Sequence, residues 1–218
     1  MLYVVDRRNC AAYAAQLEEM YRIRYRIYVE GRGRRALARP DGREIDQFDT
    51  DEAVYLLGLD AAGHVTSVVR LVPTTGPTLL RDVFSHAVTC GRIPRDECIY
   101  EMTRYFLSNE PQERVERWLV AGEVLCAMFE YALAAGLKQL SLVCDAFFMP
   151  ALLESGWKVH PLGLPTPYDE RTCITVLFDV SEAALAGTRA TRGVSSPALT
   201  FSPCPPPFAE PNDRALAA

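Results

Sequence analysis

Apolar positions along the chain change period several times, and each change predicts an element. Leu2 to Val5 is a short β-prone run, and behind it Ala11, Ala15, Leu17, Met20 and Tyr21 recur at helical spacing, with Asn9 placed to cap the helix. The period is lost from Glu30 to Arg43, where Gly, Arg, Ala and Pro dominate; an irregular stretch of that kind inside a domain is usually a lid or binding loop. Ala53 to Asp60 and His64 to Val72 are β-branched apolar runs split by Ala61-Ala62-Gly63, which reads as a hairpin stopped by Pro73. Gly76 to Arg95 is mixed, with one short helical turn through Leu79, Leu80, Val83 and Phe84.

Ile99 to Phe106 is the next strand. Asn109 and Pro111 then open a helix, from Gln112 to Ala135, whose inner side carries Trp118, Val124, Leu125, Met128 and Phe129. Gly136 ends it, and Gln139 to Cys144 reads as a core strand. A helix through Phe147, Leu152 and Leu153 stops at Gly156, and Trp157 to Leu162 and Cys173 to Val180 are the last strand candidates. This order predicts an α/β (α+β) three-layer sandwich, with one mixed, mostly antiparallel central sheet and helices on both faces. Residues 1–181 read as one domain, and the Ala-, Ser- and Pro-rich stretch 182–218 as an irregular tail without a catalytic role.

One strand breaks its own pattern. Glu101 and Arg104 sit inside the aromatic run Ile99 to Phe106, where an unpartnered charge costs several kcal/mol, so each needs a partner: the other, a further side chain or a charged ligand. Regular alternation sends Glu101 and Thr103 to one face and Arg104 to the other, so a shared site requires a β-bulge near Met102 to Arg104. Arg22, Arg24 and Arg26 close the first helix pointing different ways, so at least one faces inward. Glu44, Asp46, Asp49 and Asp51 crowd one loop and favour a cation: a metal, the nearby arginines or a positively charged substrate. A purely structural ion network explains these residues equally well at this point.

Bulk properties narrow the class. A chain of 218 residues, 49% hydrophobic and 23% charged, buries a large core. The net charge of -5 gives no nucleic-acid footprint, and no run approaches a membrane span or a signal peptide. Seven scattered cysteines form no CxxC pair, as in a reduced, cytoplasmic protein, and His64, His86 and His160 lack a metal-ligand spacing, so no metal and no bound cofactor are expected.

Several segments together resemble the acyl-homoserine lactone synthases, the autoinducer synthases of bacterial quorum sensing. They are Arg24 with Tyr28; Glu44, Asp46, Phe48 and Asp49; Arg70-Leu71-Val72-Pro73-Thr74; Phe84; Tyr100-Glu101-Met102-Thr103-Arg104-Tyr105; and, more loosely, Ser141 and Gly156-Trp157. Arg34 stands where the family usually has a tryptophan. The resemblance implies an N-acetyltransferase-like fold with a V-shaped opening between two central strands. It also implies that the amine of S-adenosylmethionine attacks an acyl thioester, after which the methionyl carboxylate closes the lactone and expels methylthioadenosine.

On that reading Glu101 takes the amine proton, Asp46 and Asp49 suit the cationic end of the substrate, and Arg24 and Arg104 its carboxylate. Arg70 and Thr103 belong to the same binding set, Tyr28, Phe84 and Phe148 are walls for the adenosyl or acyl group, and Ser141 meets the acyl chain. The thioester belongs to acyl-CoA or to acyl carrier protein. Lys138 and Lys158 are the only lysines, and from Trp118 to Glu170 the only cations besides histidine, a poor dock for an acidic carrier; this tilts the donor towards acyl-CoA. Another N-acyltransferase of the same fold acting on a small amine, or a non-catalytic binding module, stays open.

Overall fold

The computed structural model describes residues 1–107, 114–169 and 171–206. Its centre is a hairpin made of the most apolar strands in the chain, β2 (Val54–Leu59) and β3 (Val65–Pro73), antiparallel to each other. On one side β1 (Leu2–Val5) pairs antiparallel with β2; on the other β4 (Ile99–Leu107) pairs antiparallel with β3. Beyond β4 lie β5 (Gln139–Asp145), β8 (Arg171–Asp179) and β6 (Val159–Pro161), while β7 (Thr166–Tyr168) makes a hairpin with β8. β9 (Leu199–Thr200) adds a parallel edge next to β1.

Helices cover both faces. α3 (Arg114–Ala134) and α5 (Glu182–Arg192) close one face over Leu56, Val69, Leu71, Met102, Leu140 and Phe178. On the opposite face α1 (Ala14–Arg24) packs Met20 and Ile23 against Leu57, Val68 and Val72. The short α2 (Leu79–Asp82) lies over β4 and β5, and α4 (Met149–Glu154) follows β5 after a tight turn.

β4 and β5 are the pair that shapes the site. They run parallel, in register only from Ile99↔Gln139 to Met102↔Leu142. Both strands continue, β4 to Leu107 and β5 to Asp145, without pairing further, so they splay into the expected V.

Four expectations need correction. Asn9 does not cap α1: its amide donates to the Val4 and Ser202 carbonyls and accepts from the Asp6 N–H, so it ties β1 to the C-terminal segment and the helix starts at Ala14. Trp118 is not on the inner side of α3 but half exposed, under the Arg192 guanidinium. β7 escaped notice because Pro165 and Pro167 mask it. The stretch after residue 181 is not irregular throughout. Ser181 Oγ accepts the Ala184 N–H, Gly193 in the left-handed region (φ 71) ends α5, and Ala184, Leu185 and Thr188 are buried. Glu130 then pins β9, accepting from the Leu199 N–H at 2.8 Å and from Arg189 at 2.7 Å. An Ala-rich composition here conceals an amphipathic helix. Asn109, Pro111 and residues 207–218 lie outside the described residues.

Candidate active site

The bulge is where the strand pattern required it. Val68 faces Phe106 and Arg70 faces Thr103, so Arg104 and Tyr105 together oppose Val69. Arg104 takes a left-handed conformation (φ 52), which costs an L-residue about 1–3 kcal/mol and persists only where contacts over-determine it. Those contacts are present: its guanidinium meets Glu44 at 2.8 Å and Asp46 at 2.5 Å, and lies 5.0 Å from the centre of the Tyr28 ring.

Around it three arginines and three carboxylates interlock. Arg24, delivered by the last turn of α1, binds Glu44 at 2.5 Å and forks onto Asp49 at 2.7 and 2.8 Å. Arg70, from the middle of β3, reaches Asp46 at 2.6 Å, Asp49 at 2.6 Å and Thr103 Oγ1 at 2.9 Å. The loop is held in shape by its own backbone: Asp49 accepts the Asp46 N–H, and Asp46 accepts the Phe48 N–H. Burial opposes charge on Arg24, Arg70 and Asp49, yet the mutual hydrogen bonds prevail, raising both guanidinium pKa values and holding Asp49 well below the usual carboxylate range. Arg24, Arg70, Glu44 and Asp49 have fully buried side chains, whereas Asp46 and Arg104 keep 9% and 11% exposure. The network therefore has an inner frame and one open edge.

Glu101 lies on the same face but does not pair with Arg104. Its two oxygens accept the backbone N–H groups of Leu79 and Leu80, each at 2.7 Å, at the start of α2. Burial pushes its pKa up to about 7, against the pull of these hydrogen bonds and of Arg70. A carboxylate tuned near neutrality can accept a proton at working pH. Ser141 stands beside it in the parallel β4/β5 register, buried, with its Oγ unpaired. Phe84 is buried next to α2, and Tyr28 is buried with its hydroxyl 3.5 Å from the Tyr105 carbonyl.

The structure thus brings together Arg24, Asp46, Asp49, Arg70, Thr103 and Arg104 with Tyr28, and sets Glu101, Ser141 and Phe84 alongside. Phe148 stands apart, 46% exposed in the turn after β5 and packed against Phe147 with the rings tilted by 32°. Two members carry no individual role in the sequence, where Glu44 stands out only as part of the acidic cluster and Tyr55 not at all. Glu44 joins Arg24 to Arg104, and Tyr55, whose hydroxyl donates to Asp49 at 2.7 Å, is the cross-strand neighbour of Arg70. Strand alternation across the hairpin carried the signal for Tyr55.

The sequence profile of the autoinducer synthases matches residues 9–187. The chain belongs to the autoinducer synthase family. The isovaleryl-homoserine lactone synthase of Bradyrhizobium diazoefficiens is 32% identical over 185 residues, covering 85% of this chain and 82% of that protein. Among solved structures, the CoA-dependent acyl-homoserine lactone synthase BjaI with SAM and isopentyl-CoA superposes with a TM-score of 0.85 at 30% identity, over 93% of each chain. The CoA-dependent synthase MesI does so at 0.84 and 38%, over 93% of this chain and all of the other. An N-acetyltransferase from Lactobacillus plantarum, at 0.54 and 16%, shares the fold alone. The synthase is an acyltransferase of quorum sensing with S-adenosylmethionine and an acyl thioester as substrates. Among its described residues no helix is long and apolar enough to cross a membrane.

Proposed function

We propose that this synthase takes its acyl group from acyl-CoA and that the open edge formed by Asp46 and Arg104 receives S-adenosylmethionine. The observation that carries the reading is the convergence of three arginines and three carboxylates beside Glu101, with only that edge reached by solvent. Asp46 offers an anion to the ammonium and sulfonium, and Arg104 a cation to the carboxylate. Arg24, Arg70, Glu44 and Asp49 hold these two in place, with Thr103 fixing Arg70 and Tyr28 walling the adenosyl side.

Glu101 removes a proton from the α-ammonium, whose ordinary pKa near about 8 leaves it mostly non-nucleophilic at neutrality. The freed amine attacks the thioester carbonyl, the C–S bond breaks, and the departing CoA thiolate takes up the second proton that the new amide nitrogen sheds. The methionyl carboxylate then displaces the sulfonium from its own γ-carbon, forming the lactone and methylthioadenosine. Confinement of both ends supplies the proximity this second step needs. The gap between β4 and β5 admits the thioester arm, and Ser141 and Phe84 line the acyl side. The CoA named in the BjaI and MesI structures supports the donor, as does the scarcity of cationic side chains from Trp118 to Glu170, where Lys138 and Lys158 stand alone besides histidine. The seven free cysteines and both substrates fit the cytoplasm.

Purified protein mixed with S-adenosylmethionine and either acyl-CoA or acylated carrier protein tests this directly. Methylthioadenosine release with acyl-CoA is expected. Release only with the carrier protein would overturn the donor, and no release with either would overturn the function.

A further inference from the structure

The apolar cluster beside Ser141 ends at Tyr168. Val143 and Leu177, on the Ser141 side of β5 and β8, pack there with buried Leu80, Phe84, Leu162 and Cys173. The Tyr168 ring stands edge-on to Phe84 with centroids 4.5 Å apart, and the Arg34 guanidinium lies 4.7 Å from the centre of the same ring. Arg34 also bonds Asp169 at 2.7 Å. Asp169 is in the left-handed region (φ 51), which turns the chain after β7 so that its carboxylate and the neighbouring ring meet one arginine.

The other wall of the cluster is backbone against backbone. The Thr89 and Cys90 N–H groups both donate to the Leu162 carbonyl, at 2.9 and 2.8 Å. Gly163 passes so close that an added Cβ would stand 2.0 Å from the Ala87 carbonyl oxygen. That wall leaves no room for a side chain at Gly163. The backbone of Tyr168 is held in the β7–β8 hairpin, while its ring rests on Phe84 and under an arginine bridge at the solvent boundary, with Arg34 28% and Asp169 65% exposed.

We propose that Tyr168, clamped between Phe84 and Arg34, is the end wall of the acyl compartment and restricts the enzyme to short apolar acyl groups, with Arg34 as its positioning residue. This rests on the synthase reading and on the acyl chain passing Ser141. Removing the ring opens the compartment to solvent, through which a longer chain can extend.

The test is the ratio of kcat/KM for decanoyl-CoA over butanoyl-CoA, read by methylthioadenosine release from the full chain. Wild type is expected to favour butanoyl-CoA. Y168A should raise the ratio about tenfold or more, since one methylene in an apolar pocket already changes kcat/KM by about tenfold. Y168F, which keeps the ring, should keep the wild-type ratio, and R34M should raise it by a smaller factor. An unchanged ratio in Y168A refutes the proposal; where Y168A does not fold by circular dichroism, an unchanged ratio in R34M refutes it. A wild type that releases no methylthioadenosine with any donor overturns the synthase reading, a result distinct from an active enzyme with an unmoved ratio.

Discussion

Glu101 makes the pH dependence of folding a measurement of its own environment. Its carboxyl is buried, and its pKa rises from an ordinary 4.5 to about 7. At about 1.4 kcal/mol per pKa unit, the native state favours the protonated acid over its ionised form by about 3 kcal/mol relative to the unfolded chain. The sign follows from proton counts. Between the two pKa values the unfolded chain has released this proton while the folded protein keeps it, so stability falls as pH rises. The contribution is fully present below about 4.5 and gone once pH passes about 7. Glu101→Gln removes the titration. The amide also sets an NH2 against one of the Leu79 and Leu80 N–H donors, which shifts stability by a fixed amount at every pH. Urea unfolding of both proteins from pH 4.5 to 8 separates the two effects, because the fixed offset cancels in the pH trend. The mutant should gain about 3 kcal/mol on wild type across that range. A difference that stays flat would show that Glu101 is not held as a buried acid and would remove the reason for casting it as the base. The same group predicts turnover that rises through pH 7 in wild type and collapses in Glu101→Gln.

Other perturbations separate the network's edge from its frame. Asp46→Asn, at the open edge, should weaken S-adenosylmethionine binding by about tenfold or more, as loss of one charge-assisted contact implies; unchanged affinity by calorimetry removes Asp46 from the site. Asp49→Ala, in the frame, should instead cost about 3–5 kcal/mol in urea unfolding, because Arg24 and Arg70 lose a shared buried partner; a cost below 1 kcal/mol would contradict the network. Glu130→Gln should speed amide hydrogen exchange at Leu199 while turnover persists, and unchanged exchange would mean that β9 holds without this carboxylate.

What could be read before folding, and what could not, divides along one physical line. Alternation and period are local, so the central hairpin, β4 and α3 were legible, and so was the bulge: two charges on opposite faces of one strand have no other route to a common site. The partner of each charge is a long-range fact. Nothing within Ile99 to Phe106 says that Glu101 turns to the start of α2 while Arg104 turns to a loop some sixty positions earlier. Glu44 and Tyr55 went unassigned for the same reason, since their roles exist only once α1, the acidic loop and β3 meet. α5 was missed because its helical signal lies in a cap and a buried stripe of small residues, which composition averages away. Arg34 shows the converse. In sequence it is only a departure from the family's tryptophan. In the fold it joins the segment after α1 to the β7–β8 hairpin, 135 positions on, a contact that no local pattern announces. On the proposed placement of the two substrates, the residue that departs from the family pattern is the one that ties the adenosyl side to the acyl side.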